Sequence, residues 1–70
     1  MENKEVTISN LGKIVQQKRK FLKLTQEELA TASGTGTRFI QDIEKGKATC
    51  HIGKTFDVLN ALNINLQLAE

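Results

Sequence analysis

The stretch LTQEELATASGTGTRFIQDIEKGK, residues Leu24–Lys47, holds two short helical patterns on either side of a glycine-containing corner. Thr25 is followed three residues later by Glu28, which is the capping-box pattern of a helix start. Gly34 predicts the end of this helix, because glycine commonly follows the last helical residue. Apolar side chains then recur at helical spacing as far as Gly46, which predicts a second short helix.

The helix after the corner has two unlike sides. At about 100° per residue on a helical wheel, the core side consists of Gly36, Phe39, Ile40 and Ile43. The opposite arc holds hydrogen-bonding and charged side chains: Thr37, Arg38, Gln41, Asp42 and Lys45. Only the four residues SGTG separate the two helices, so they meet at a steep angle and the second one projects. This is the geometry of a helix-turn-helix, whose second helix reads base edges in the DNA major groove; an ordinary corner in a small helical bundle is the alternative.

Helical patterns also lie on both sides of this stretch. A first helix, with Ser9 as its expected cap, is predicted to carry one buried apolar stripe: Leu11, Ile14, Val15, Phe21 and Leu22. A fourth helix, starting near Thr49, is predicted to turn these side chains inward: Ile52, Phe56, Leu59 and Leu62. Thr35 is the expected cap of the third helix. The sequence therefore predicts an all-α domain of four helices.

The closing residues NINLQLAE change from helical to strand spacing, because Ile64, Leu66 and Leu68 alternate with polar side chains. A single strand has no partner within an all-helical chain. Two copies that pair these strands across a two-fold axis would cover the open edges, so we predict a homodimer; a frayed extended tail is the alternative. The expected organisation is a flexible N-terminal arm at residues 1–7, a helix-turn-helix domain at 8–63 and a dimerisation strand at 64–70.

Length and composition limit the possible functions. The chain has 70 residues, a net charge of +2 and one cysteine, so we expect one domain with a modest core and no internal disulfide. No apolar run approaches the roughly 20 residues that cross a bilayer, and no signal-peptide pattern occurs, which predicts a cytoplasmic protein. The charge is uneven, because residues 6–26 hold five bases and no acid. A solvated helix face is enough to explain this run on charge alone.

The sequence contains no recognisable catalytic or metal site. Cys50 and His51 give at most two ligands per chain, fewer than a tetrahedral zinc site requires. No nucleophile, base and orienting group form an arrangement, and GTG is too short for a phosphate-binding loop. We therefore predict no enzymatic activity, no metal and no cofactor.

The central stretch resembles the helix-turn-helix of the phage-repressor-like (XRE, or Cro-like) transcriptional regulators. The matching features are Gln26 at the start of the first motif helix, Ala30 at the helix contact, Gly34 in the turn, the inward Ile40 and Ile43, and the ending IEKGK. The resemblance covers about Leu11–Leu68 and implies a lambda-repressor-like fold that binds double-stranded operator DNA. One departure is Lys23, because many relatives have glycine there, at a turn with positive φ.

Within that family, the basic first helix and the closing LNALNINLQL resemble the small HipB-type antitoxins. This resemblance implies a homodimer that pairs its C-terminal strands, represses its own promoter and accompanies a HipA-like kinase toxin. It also implies a bacterial cytoplasmic protein that associates with the nucleoid when bound. Two other interpretations stay open: a phage- or plasmid-type repressor without a toxin, and a protein-interaction adaptor of the same fold with weak DNA binding.

The resemblance also implies roles for individual residues. The base-facing positions are Gly36, Thr37, Arg38 and Gln41. The expected phosphate contacts are Gln26, Lys45, Lys47 and Thr49. A structural ion pair is implied between Arg19 and Glu44, where it would tie the first helix to the recognition helix. Arg38 can hold guanine O6 and N7 together, and Asp42 is one turn away, where it can orient the guanidinium.

Overall fold

The computed structural model describes residues 8–47 and 51–64, and this part of the chain is all-α. Its helices are α1 (Ile8–Phe21), α2 (Gln26–Ser33), α3 (Thr37–Glu44) and α4 (Ile52–Ala61). The four-helix prediction is therefore confirmed. The described residues contain no strand. The predicted arm at 1–7, Thr49, and the predicted strand beyond Ile64, with Leu66 and Leu68, lie outside them.

All four helices or their immediate ends contribute to one small core. The buried apolar side chains are Val15, Leu29, Ala30, Ile40, Ile43, Val58, Leu59 and Leu62. In this arrangement α1 packs on α3, and α2 packs on both α3 and α4. The recognition-type helix α3 is therefore held by two neighbours, α1 and α2.

The predicted inward stripes of the two outer helices are only partly correct. In α1 the side chain of Val15 is buried, but Ile14 is 48% exposed and Phe21 is 77% exposed. In α4 Leu59 is buried, whereas Ile52 is 67% exposed. Phe56 and Leu22 are exposed as well. The domain is too small to cover both edges of each stripe, so each outer helix leaves apolar side chains at its surface.

Local hydrogen bonds define both ends of α2. The Glu28 backbone N–H donates to Thr25 Oγ1 at 3.0 Å, and the Thr25 N–H donates to Glu28 Oε1 at 2.8 Å, which confirms the capping box. Gly34 follows the helix with φ 71°, in the left-handed conformation that glycine adopts without steric cost. The first helix of the motif thus begins and ends as the sequence predicts.

Two predicted caps are wrong. Helix α1 begins at Ile8, so Ser9 is inside the helix. The N-cap of α3 is Gly36, without a side-chain cap, and the Thr35 hydroxyl instead lies 2.9 Å from Ser33 Oγ. Because α3 begins at Thr37, Thr35 lies one residue before the cap position, and its hydroxyl pairs with that of Ser33.

The turn that ends α1 places a non-glycine residue in the left-handed region. Lys23 has φ 61°, as the resemblance implies for this position. The turn is closed by the Lys23 N–H on Lys20 O and the Leu24 N–H on Arg19 O, each at 3.0 Å. Because an L-residue pays a steric penalty of about 1–2 kcal/mol in this conformation, the turn stores strain.

Replacing Lys23 by glycine is expected to raise the melting temperature by a few degrees. Relief of strain outweighs the added freedom of glycine in the unfolded chain by about 0.5–1 kcal/mol. Asn63, at φ 58°, is the matched control, because asparagine tolerates this conformation better and Asn63→Gly gains less. Thermal unfolding followed by circular dichroism compares the two variants; a lower melting temperature for Lys23→Gly contradicts the argument.

The end of α4 has a consequence for the predicted strand. Asn63 is left-handed, and the Ile64 N–H donates to Leu59 O at 2.9 Å. Ile64 also packs against the core of its own chain. Its backbone N–H is therefore occupied and cannot donate to a second strand. No described helix is both long and apolar enough to cross a membrane.

Candidate nucleic-acid interface

Helix α3 presents a polar side to solvent because its apolar side is anchored in the core. Ile40 is fully buried and Ile43 is 4% exposed. Of the predicted base-facing positions, Gly36 and Arg38 are exposed, and Thr37 and Gln41 are partly exposed. All four positions are therefore accessible at least in part, and Thr37, Arg38 and Gln41 share an arc of about 100° on α3. A Cβ built on Gly36 would meet nothing within 4 Å, so its surroundings are open.

Three charged side chains meet on this surface. Arg38 Nε lies 3.4 Å from Asp42 Oδ1, and Lys47 Nζ lies 3.6 Å from the same oxygen. The Arg38 side chain is 79% exposed, so the pair is long, solvated and weak. Asp42 therefore holds the guanidinium near α3, yet an approaching acceptor can replace it at small cost. The expected contact between Asp42 and Arg38 is formed.

A second cluster, largely buried, surrounds Glu44 at the end of α3. Arg19 of α1 donates to its carboxylate through Nε at 2.7 Å and through Nη2 at 3.1 Å. The side chains of Arg19 and Glu44 are only 11% and 3% exposed. Arg19 also donates to Leu24 O at 2.8 Å, in the turn after α1. The ion pair that the resemblance implies is present, and it joins α1, the following turn and α3.

Two glutamines complete this cluster, which we call the Glu44 cluster: Gln16, Arg19, Gln26 and Glu44. Gln26 Nε2 donates to Glu44 Oε1 at 3.1 Å, and Gln16 Nε2 does so at 3.4 Å. The amide donor of Gln26, predicted to contact a phosphate, is therefore turned toward Glu44 in this structure. Sequence reasoning missed Gln16, since no local pattern signals a contact that spans 28 residues.

The pKa of the Glu44 carboxyl lies below its ordinary value. Burial by itself raises this pKa, but the hydrogen bonds from Arg19 and Gln26, the charge of Arg19 and the Gln16 contact together outweigh it. Glu44 is therefore a carboxylate at neutral pH, and the positive charge of Arg19 compensates its negative charge.

Gly12 is a further positioning residue that the sequence did not reveal. A Cβ built on it would collide with the backbone oxygen of Ile43 and would lie 3.3 Å from Glu44 O. The α1 backbone thus approaches the end of α3 so closely that only glycine fits. Together with the Glu44 cluster, this contact sets the orientation of α3 relative to α1.

The remaining predicted site residues lie at or beyond the end of α3. Lys45 and Lys47 are exposed, where a phosphate can reach them. Thr49 falls in the gap between the described ranges. Residues 8–47 and 51–64 include no group of three or more side chains that could hold a metal. The His51 ring lies edge-on to Phe39, with centroids 6.3 Å apart.

Comparisons with known sequences agree with this geometry. The profile of the helix-turn-helix family HTH_3 matches residues 15–68. A protein of Sinorhizobium fredii (strain NBRC 101917 / NGR234), the uncharacterized HTH-type transcriptional regulator y4mF, is 42% identical over 62 residues, which cover 89% of this chain and 82% of that protein.

Solved structures share the fold. A chain in the structure of the HipA-HipB-O2-O3 complex has a TM-score of 0.84 at 22% identity, covering 99% of this chain and 97% of that chain. The restriction-modification controller protein C.AhdI from Aeromonas hydrophila has a TM-score of 0.73 at 24% identity, covering 83% and 84%. At such identities the likeness establishes the architecture alone.

Proposed function

Because the chain belongs to the XRE-type helix-turn-helix family of DNA-binding transcriptional regulators, we propose that it is a sequence-specific, homodimeric autorepressor. The observation that carries this proposal is the accessible polar side of α3, whose orientation is fixed by buried contacts to α1. A fixed helix with hydrogen-bonding side chains on its free side suits the reading of base edges in the major groove.

Arg38 is the proposed specificity residue. Its guanidinium is exposed and held only by a weak contact to Asp42, so it can exchange that carboxylate for guanine O6 and N7. Gln41 is the proposed adenine contact, and Thr37 and Gly36 allow close approach of the DNA at the start of α3. Lys45, Lys47 and Thr49 are proposed to contact phosphates, which position the protein without reading sequence.

We further propose a dimer that pairs residues 64–70 as strands, with two α3 helices entering successive major grooves about 34 Å apart. The alternating pattern of Leu66 and Leu68 supports this pairing. The closing LNALNINLQL and the small size support an antitoxin of a HipBA-like system, with a HipA-like kinase toxin as its protein partner in a bacterial cytoplasm. A reading frame for a kinase beside the gene, and its copurification with this chain, distinguish an antitoxin from a phage- or plasmid-type repressor.

The test is fluorescence anisotropy with labelled duplex from the upstream region of the gene and with a scrambled duplex, across a salt series. We expect the native duplex to bind roughly a thousandfold more tightly or better, with two chains per duplex. Both affinities should fall steeply with salt, because phosphate contacts release counterions. Equal, weak binding to both duplexes contradicts the proposal and favours an adaptor of the same fold.

The variant Arg38→Ala is expected to lower affinity for the native duplex by about 1–3 kcal/mol, while binding to the scrambled duplex changes little. Arg38→Lys is the matched control, because lysine keeps the charge but cannot form the two-pronged contact with guanine. Arg38→Lys should bind both duplexes through phosphate contacts but should not recover the preference for the native duplex over the scrambled one. Full discrimination by Arg38→Lys means that the arginine contacts a phosphate instead.

A further inference from the structure

Within the part of the chain that the structure describes, α1 and the residue that follows it carry exposed apolar side chains. Phe21 is 77% exposed, Ile14 is 48% exposed and Leu22 is 41% exposed. On a helical wheel the three fall within an arc of about 100°, at the edge of the buried side of the helix. We call these three residues the α1 ridge. Exposed apolar side chains that cluster on one side of an element, unlike single scattered ones, are candidates for a contact surface.

Basic residues flank the α1 ridge along the chain. Lys18 Nζ lies 5.7 Å from the centre of the Phe21 ring, and Lys20 and Lys23 are exposed nearby along the chain. No acid occurs between residues 6 and 26, and Arg19 is turned inward to Glu44. The lysines of this segment therefore have no acidic neighbours within it.

Two side chains of the α1 ridge, Phe21 and Ile14, also face away from the Glu44 cluster. Gln16, whose side chain reaches Glu44, is about 140° from Phe21 and about 160° from Ile14 around the helix. Arg19, the main contact of Glu44, is about 160° from Phe21 and about 140° from Ile14. These two side chains therefore lie on the far side of α1 from α3, whereas Leu22 is only about 60° from Arg19. A partner on the ridge need not displace anything that α3 binds.

We propose that the α1 ridge is a docking surface for a protein segment that presents acidic side chains around an apolar one. Aromatic side chains surrounded by polar neighbours are the usual anchors of such contacts, and opposite charge steers the partner to them. The inference extends beyond DNA recognition and does not depend on it. It gives the interaction surface and the chemistry of the partner.

Charge argues against a second copy of this chain as the occupant. Pairing two ridges would bring lysines of like charge together, because a two-fold contact places the same patch on both sides. The other exposed apolar pair, Ile52 and Phe56 on α4, has both Lys54 and Asp57 beside it and lacks this conflict. A lipid surface fits less well, since the main apolar stripe of α1 is occupied by the core and leaves only the ridge to insert.

The test uses two labelled synthetic peptides with the same leucine positions on an amphipathic helix, one with glutamate and one with lysine at the polar positions. Fluorescence anisotropy measures binding to the full chain. We expect the glutamate peptide to bind roughly tenfold more tightly than the lysine peptide, and Phe21→Ser to weaken it by roughly tenfold. Ile52→Ser is the matched control, because it removes a comparably exposed apolar side chain from α4 and should leave peptide affinity unchanged.

Four results overturn the proposal. The first two are equal affinity for the two peptides and unchanged peptide affinity in Phe21→Ser. The third is a smaller oligomer of Phe21→Ser in sedimentation, which would make the ridge a contact between copies of the chain. The fourth is that the chain binds phosphatidylglycerol vesicles but neither peptide, and that Phe21→Ser abolishes the vesicle binding. Duplex binding by the same variant is measured separately and should not change. A failure of the DNA proposal is thereby distinguishable from a failure of this one. Phe21→Ser should keep its melting temperature within a few degrees, since the side chain is largely solvated.

Discussion

Replacement of Glu44 by alanine is expected to destabilise the domain by about 3–5 kcal/mol, because it leaves the Arg19 guanidinium largely buried without its counter-charge. Gln16 and Gln26 lose their shared acceptor in the same step. A domain of this size has only a small margin of stability, so much of the protein should be unfolded at ambient temperature. Urea titration followed by circular dichroism measures the loss.

Two variants show whether burial is the cause. Asp42→Ala removes another carboxylate from α3, but its contacts with Arg38 and Lys47 are long and partly solvated, so it should cost less than about 1 kcal/mol. The double variant Arg19→Met with Glu44→Leu removes both charges and should recover part of the stability lost in Glu44→Ala. A small effect of Glu44→Ala, similar to that of Asp42→Ala, contradicts the role given to the Glu44 cluster.

The Glu44 cluster also predicts a dependence of stability on acid. The pKa of Glu44 is lower in the folded protein than its ordinary value of 4.5, which is the value expected for an unfolded chain. Its contribution is therefore fully present above that unfolded value and is lost as the pH falls through the folded pKa. In Glu44→Gln the unfolding free energy should fall less steeply as the pH is lowered below about 4.

Replacement of Gly12 by alanine is expected to cost about 3 kcal/mol, because the added Cβ would collide with the backbone oxygen of Ile43. Backbone cannot rotate away as a flexible side chain can, so α1 and α3 must separate. Gly53→Ala is the matched control: Gly53 is also helical, nothing lies within 4 Å of a Cβ built there, and alanine should be neutral or slightly stabilising. Equal stability of the two variants means that α1 and α3 can move apart freely.

The sequence predicted well those structural features that depend on interactions between residues close together in the chain. The capping box of Thr25 with Glu28 and the stop at Gly34 depend on hydrogen bonds and backbone freedom within a few residues. Thr35 is not the cap because α3 begins one residue later than predicted, with Gly36 as its N-cap. Gly12 was missed since its neighbour, the backbone of Ile43, is distant in sequence.

The exposed apolar residues show a second limit of sequence reasoning. A helical wheel assigns Phe21 and Ile52 to an apolar stripe, but it does not give the width of the partner that covers the stripe. In this small domain the neighbouring helices cover only part of each apolar stripe, so Phe21 and Ile52 remain exposed. For the interface, the wheel separated Ile40 and Ile43 from the polar side of α3 correctly, because α3 lies between α1 and α2 and has one free side.

The packing order of the helices determines what the far end of the molecule can influence. Helix α4 packs chiefly on α2, and α2 packs on α3. The C-terminal end of the chain therefore contacts α3 mainly through α2. In a dimer joined through its C-terminal residues, the position of α2 would set the distance between the two α3 helices. Altering the contact between α2 and α4 should then change the tolerated spacing between operator half-sites, while the preferred bases within each half-site stay the same.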